Sequence, residues 1–186
     1  SRKYKKFILP EPFKRGFNYE VKDLYAVVKE VIHPKFHTFS GFANLGLIQV
    51  DRKFTTYNKV KISPVCLKKS DDVKIGTKVL SHSRRMKLSV TNSTLCKKWF
   101  PKKVGVFARK FPFKSDSQIC VEYSEACSLT CEVLPATPLL IKNGEVFTQV
   151  GILLQTEGNK YKGYPAVFTK ISSFWQWIKD TTQCLQ

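Results

Sequence analysis

The chain has 186 residues, of which 42% are hydrophobic and 13% aromatic, with nine Gly and nine Pro, a composition that excludes a disordered or collagen-like chain. Lys and Arg number 32 against 14 Asp and Glu, a net charge of +18. A field of that size favours polyanions such as nucleic acid, sulfated glycans or anionic lipid, and it carries no information about fold. No run of about 18 apolar residues is present, which excludes a membrane-spanning helix.

The first residues, Ser1-Arg2-Lys3-Tyr4-Lys5-Lys6, are basic. The apolar stretch after them is short and holds Pro10 and Pro12, so the segment does not read as a signal peptide and the chain reads as a processed one. Residues 21–32 alternate imperfectly and end at His33-Pro34. Leu45, Leu47, Ile48 and Val50 make a short apolar run within 43–50. Residues 73–80, 87–90, 146–154 and 166–171 are further β-branched or alternating stretches. Asp71-Asp72, Asn143-Gly144, Glu157-Gly158-Asn159 and Gly163-Tyr164-Pro165 separate them as turns. Many short strands so punctuated predict an all-β barrel or sandwich. The final segment changes period. Ser173 with Gln176 three residues on forms a capping-box pattern, and Phe174, Trp177 and Ile178 follow at helical spacing. This predicts a helix from Ser173 to about Gln183, packed by its aromatic face.

The cysteines are Cys66, Cys96, Cys120, Cys127, Cys131 and Cys184, with no C-x-x-C pair. Zinc sites need paired short spacings, so neither a metal nor another cofactor is expected. An even number scattered through a basic chain fits disulfides and an oxidising compartment. Asn92-Ser93-Thr94 is a glycosylation acceptor sequence and agrees with secretion.

Several segments resemble, in order, those of the chymotrypsin/trypsin-like serine protease family. Val31-Ile32-His33-Pro34-Lys35-Phe36 resembles VxxHPxY, and Asn44-Leu45-Gly46-Leu47-Ile48-Gln49-Val50 the strand DIALLRL. Ser63-Pro64-Val65-Cys66-Leu67 is similar to QPVCL, and Thr148-Gln149-Val150-Gly151-Ile152 to the strand before the substrate groove. Tyr164-Pro165-Ala166-Val167-Phe168-Thr169-Lys170-Ile171 is similar to PGVYTRV, and Phe174-Trp175-Gln176-Trp177-Ile178 to YxxWI. The resemblance runs from about residue 21 to the end. It implies an all-β fold of two six-stranded antiparallel barrels, the first incomplete in this chain, with a C-terminal helix. Residues 1–186 then form one homology domain: a partial first barrel (1–58), a crossing segment (59–72), a second barrel (73–172), and the helix and tail (173–186).

The resemblance also places the family's chemistry, which needs a serine nucleophile, a histidine base and an orienting aspartate. The motif C-x-GDSGGP corresponds to Cys131-Glu132-Val133-Leu134-Pro135-Ala136-Thr137-Pro138. Anchored on Cys131 and Pro138, Pro135 stands at the serine and Leu134 at the aspartate before it. Val133 replaces the glycine of the oxyanion turn. Proline offers neither a nucleophilic atom nor an N–H for the oxyanion. The orienting aspartate reads Asn44. The catalytic histidine would fall before Ser1, and His33, His37 and His82 stand in other contexts. Leu154-Gln155-Thr156 replaces the substrate-pairing SWG, and about Leu129 stands at the base of the specificity pocket. The expectation is an inactive homologue. Cys127 could be a nucleophile, but its oxidised form is the expected one.

Two departures bear on function. The family's first strands precede the matched region, so either a second chain supplies them or the first barrel is remodelled; a barrel missing strands exposes edges. Cys66 is expected to pair with an upstream segment or with Cys184, while Cys127 and Cys131 stay unassigned. The pairing Cys96–Cys120 matches a family disulfide. The segment between these two is enlarged, and residues 97–114 hold seven cations and no acid, interleaved with aromatics: Lys97, Lys98, Lys102, Lys103, Arg109, Lys110 and Lys114. Arg84, Arg85 and Lys87 are expected to join them. Clustered cations give salt-sensitive polyanion binding, and aromatics can stack on sugars. An ordinary solvated loop with its aromatics tucked into the barrel is the competing reading. Secretion, into the extracellular space or a granule, favours a sulfated glycan or an acidic protein surface over nucleic acid. The alternative is a regulatory subunit or decoy that binds a protease, inhibitor or complement-type protein through former exosites.

Overall fold

The structure, a computed structural model, describes residues 6–8, 24–38, 40–57, 60–70, 73–81, 86–100, 112–123, 136–156 and 165–183. The chain divides into two compact units, Ser1–Ile32 with Gly46–Pro64 and His33–Leu45 with Val65–Gln186.

The smaller unit holds β1 (Phe7–Ile8), β2 (Tyr25–Ile32) and β3 (Gly46–Val50) in one antiparallel sheet of that order. Val27 pairs with Val50 and Ile32 with Gly46. Two short strands, β4 (Thr56–Tyr57) and β5 (Val60–Lys61), pair with each other. Tyr25 is buried against Phe54 at 4.4 Å between ring centroids, with the Arg52 guanidinium 4.3 Å from the Tyr25 ring. Arg52 also donates to the Leu24 carbonyl at 2.7 Å and to Asp51 at 3.0 Å. Among the described residues these strands form open sheets, not a closed barrel. Val28, Ile32 and Ile48 are 63%, 67% and 54% exposed.

The larger unit is a closed antiparallel barrel. Its strands are β6 (Lys78–Ser81), β7 (Met86–Val90), β8 (Gln118–Tyr123), β9 (Pro138–Asn143), β10 (Val146–Thr156) and β11 (Pro165–Lys170), in the spatial order β10-β11-β8-β7-β6-β9. The expected stretches at 73–80, 87–90, 146–154 and 166–171 supply four of them. β8 and β9 were not expected. Pro138 is tolerated because it opens its strand. Inside lie Val79, Leu88, Val121, Leu139, Val150 and Phe168, each at most 2% exposed. Burial on that scale contributes about 1.5–3 kcal/mol for each large apolar side chain. The expected Asn143-Gly144 turn joins β9 to β10, with Gly144 at φ 57°.

A 3-10 turn (Ile171–Phe174) leads into helix α2 (Trp175–Gln183). Ile171, Phe174 and Ile178 are buried with Ala43 and Leu45, and Trp177 packs against this cluster. The aromatic face therefore packs as expected, but the capping box does not form. The Ser173 hydroxyl donates to the Asp116 carbonyl at 2.7 Å, and the Gln176 amide donates to Asp180 at 2.8 Å. The 3-10 turn occupies the residues where the cap would sit, so the α-helix begins two residues later than the sequence suggested. A second helix, α1 (Ser93–Trp99), was not expected at all.

Candidate functional site

Asn92 starts α1. Its Oδ1 accepts a hydrogen bond from the Thr94 N–H at 3.0 Å, meeting one of the orphan donors of the first turn. The residue read as a glycosylation acceptor is thus also a helix cap, and it is exposed. A capping oxygen leaves Nδ2 outside that hydrogen bond, so the two roles do not conflict.

Helix α1 is short and is held by packing. The Cys96–Cys120 disulfide, with a Cα–Cα distance of 5.9 Å, ties it to β8. Around the bond lie Phe100, Phe113 and Val167, at 1%, 8% and 0% exposure. The Phe113 N–H donates to the Phe100 carbonyl at 3.2 Å, and the Phe100 N–H to the Cys96 carbonyl at 2.8 Å. For Phe100 and Phe113 this is the competing reading, aromatics tucked into the barrel; residues 101–111 lie outside the described residues. The segment begins as a helix, and Phe100 and Phe113 are core residues beneath it. A surface ligand cannot stack on them.

The cations behave differently. Lys97 and Lys98 are exposed on the last turn of α1, and neither makes an ion pair among the described residues. Positive charge at a helix C-terminus is favourable, so their placement needs no acid nearby. Lys114 turns inward instead. Its ammonium lies 4.6 Å from the Phe42 ring centroid, and its backbone N–H donates to Gln118 Oε1 at 2.8 Å. Lys114 is therefore engaged within the fold. Lys102, Lys103, Arg109, Lys110, Arg84 and Arg85 lie outside the described residues, and of Lys87 only the backbone, in β7, is described.

At the positions assigned to catalysis, Asn44 is exposed between the buried residues Ala43 and Leu45. Ala43 adopts φ 51° and Ala136 φ 65°. Each is a left-handed conformation that costs an L-residue about 1–2 kcal/mol. The two strained alanines flank the assigned positions, one before Asn44 and one after Pro135. Leu129, Val133, Leu134 and Pro135 lie outside the described residues, as do Cys127, Cys131 and Cys184. His33 is 8% exposed. Its Nδ1 accepts from the Lys35 N–H at 3.1 Å, and its ring packs on Trp177 at 4.7 Å and Phe174 at 5.2 Å. Burial, and then the Lys35 charge, hold its pKa below the usual 6.5. It is a neutral packing histidine. Gln155 and Thr156 end β10, paired with Val167 and Ala166 of β11. Burial raises the Tyr123 phenol above its ordinary pKa, partly offset by a hydrogen bond with Thr156.

Cys66 carries an exposed free thiol, so the bond to Cys184 considered from sequence is not formed. Its backbone instead pairs with β10: the Cys66 N–H donates to the Phe147 carbonyl at 3.1 Å, and the Gln149 N–H to the Cys66 carbonyl at 2.9 Å. Among the described residues no cluster of His, Cys, Asp and Glu could hold a metal ion, and no helix is long and apolar enough to cross a membrane.

A closed six-stranded antiparallel barrel with a second sheet and a C-terminal helix fits a trypsin-like fold, and the chain is similar to a protein of that kind. One such relative is trypsin V-B of Rattus norvegicus, 23% identical over 164 residues, which cover 82% of this chain and 61% of the relative. The chain thus spans less than two thirds of the length of the relative it matches. No protein-family model matches the sequence.

Proposed function

We propose that this chain is a catalytically inactive, secreted homologue of the trypsin-like proteases that binds a sulfated glycan or an acidic protein surface. The observation that carries the binding reading is the pair of exposed lysines, Lys97 and Lys98, without an ion pair among the described residues, on a helix anchored by the Cys96–Cys120 bond, in a chain of charge +18. A fixed pair of cations releases counterions from a polyanion at lower entropic cost than a mobile one. The cations Lys102, Lys103, Arg109, Lys110, Arg84, Arg85 and Lys87 belong to the same reading from the sequence, with Asn92 as its glycan attachment site. Inactivity is supported by Pro135, Leu134 and Val133 in the nucleophile motif, by Asn44 at the aspartate, and by His33 being engaged in packing.

The test is elution from immobilised heparin across a range of salt. Neutralising Lys97 and Lys98 is expected to lower the log–log salt slope by about one per lost contact. An unchanged slope refutes the assignment. A fluorophosphonate probe of active serines is expected to leave the native protein unlabelled, and labelling refutes inactivity.

A second reading is favoured by the exposed Val28, Ile32 and Ile48 of the β1-β2-β3 sheet. They suit a second chain that completes a first six-stranded barrel, or a regulatory role toward a protease, inhibitor or complement-type protein. Intact mass under non-reducing conditions separates the linked chain from a single one.

A further inference from the structure

A cavity of about 210 Å³ opens beside the β9–β10 hairpin. Its lining residues are Lys68, Ser70, Thr77, Asn143 and Thr148, with Ile141 and Val150. Val150 belongs to the barrel core and Ile141 packs against that core. The apolar residues therefore belong to the barrel interior, and the rest of the lining is polar. Every polar lining side chain can donate a hydrogen bond: an ammonium from Lys68, hydroxyls from Ser70, Thr77 and Thr148, an amide from Asn143. No acidic side chain lines the cavity among the described residues.

Two details separate this lining from an ordinary polar surface. Thr148 is 4% exposed, and its hydroxyl makes no hydrogen bond among the described residues. That hydroxyl is not sealed in the core, as the unmatched hydroxyls of Ser81 and Ser117 are, and is free to donate into the cavity it lines. The Lys68 ammonium likewise has no ion pair among the described residues. The nearby Lys142 does not compete for an anion: it meets Glu145 at 3.8 Å and lies 5.5 Å from the Phe147 ring centroid. Pairing of the Cys66 backbone with β10 fixes the start of the segment that carries Lys68 and Ser70. The cavity has roughly seven water molecules' share of liquid volume, room for a tetrahedral ion and a small group attached to it.

We infer that this cavity is a binding site for a tetrahedral oxyanion, a sulfate or phosphate, free or as a monoester on a small polar group. Lys68 supplies the charge, and Thr148, Thr77, Ser70 and Asn143 supply donors around the oxygens. Charge-assisted hydrogen bonds of this kind are roughly twice as strong as neutral ones. The site stands apart from Lys97 and Lys98 and does not require them.

The experiment is an amide NMR titration of the full chain at constant ionic strength, with N-acetylglucosamine 6-sulfate, inorganic sulfate and N-acetylglucosamine. Saturable shifts at residues 68, 70, 77, 143 and 148 are expected with the two oxyanions and not with the neutral sugar. Tighter binding of the ester identifies a sulfated glycan unit as the source; equal binding identifies the free ion. Lys68→Met, on the surface, and Thr148→Val, which conserves shape, are each expected to weaken binding at least about tenfold, the loss of one charge-assisted contact. Lys97→Ala with Lys98→Ala is expected to leave these shifts intact. Shifts confined to α1 would overturn this site while leaving the heparin reading standing. Saturation by calcium chloride in place of the oxyanions would also overturn it, since Asp71 and Asp72 follow Ser70 in the chain.

Discussion

Replacing Cys96 and Cys120 together by alanine tests whether the disulfide holds the basic helix in place. The two residues are 24 apart, so the bond closes a loop whose loss restores about 3.5 kcal/mol of chain entropy to the unfolded state. Both side chains are buried, at 0% and 4% exposure, so losing the sulfurs also thins the packing around Phe100, Phe113 and Val167. A change of about 3.5 kcal/mol corresponds to roughly 7–14 °C in Tm for a chain of this size. Helix α1 has seven residues, too few to persist without tertiary contacts. The variant is therefore expected to lose α1 amide protection before the barrel's, and to elute from heparin at lower salt than the parent. Urea unfolding, hydrogen exchange and heparin elution read the three effects. A stability loss under about 1 kcal/mol, with α1 protection unchanged, would refute the reasoning that the bond anchors this surface.

Gly151→Ala is expected to destabilise the barrel by about 1–2 kcal/mol. A Cβ there would sit 3.0 Å from Phe168 Cβ, 3.3 Å from Leu139 Cβ and 3.3 Å from the Thr169 carbonyl. The overpacking of about 1–3 kcal/mol outweighs the gain of about 0.4–1 kcal/mol from a stiffer unfolded chain. A urea midpoint equal to or above the parent's would contradict this. For His33, the folded pKa lies below the unfolded value of 6.5. Its contribution is complete above pH 6.5 and is lost as the pH falls below it, because the unfolded chain takes up a proton that the folded one resists. His33→Phe is expected to flatten the stability profile between pH 7 and pH 5, by at most one proton's worth, about 1.4 kcal/mol per pH unit. A profile parallel to the parent's would contradict the assignment.

What could be read from the residues followed local chemistry. β2, β7, β10 and β11 announce themselves by β-branched runs between turn residues, and Asn143-Gly144 marks a hairpin correctly. β8 escaped because it is buried on both faces: Gln118, Ile119, Cys120 and Val121 are all covered, so no polar alternation survives. Helix α1 escaped because seven residues hold less than two full periods, and because Asn92-Ser93-Thr94 carries a glycosylation pattern in the same letters as a helix cap. Ser173 and Gln176 satisfied a capping pattern, but a tertiary acceptor, the Asp116 carbonyl, took the serine hydroxyl. At the candidate site, the cations of 97–114 were plain, while the burial of Phe100 and Phe113 depended on a distant partner, Val167. The cavity proposed for an oxyanion was illegible for the same reason. Its residues come from four places in the chain, and none of them carries a binding signal on its own.

Closure of the six-stranded barrel has a consequence for association. Each barrel strand finds ladder partners on two sides, β8 between β11 and β7, β9 between β10 and β6. The barrel therefore presents no unpaired strand edge on which another chain could build. The β1-β2-β3 sheet is open, and its edges keep that capacity among the described residues. Strand addition by a second chain is thus a property of the smaller unit and not of the barrel.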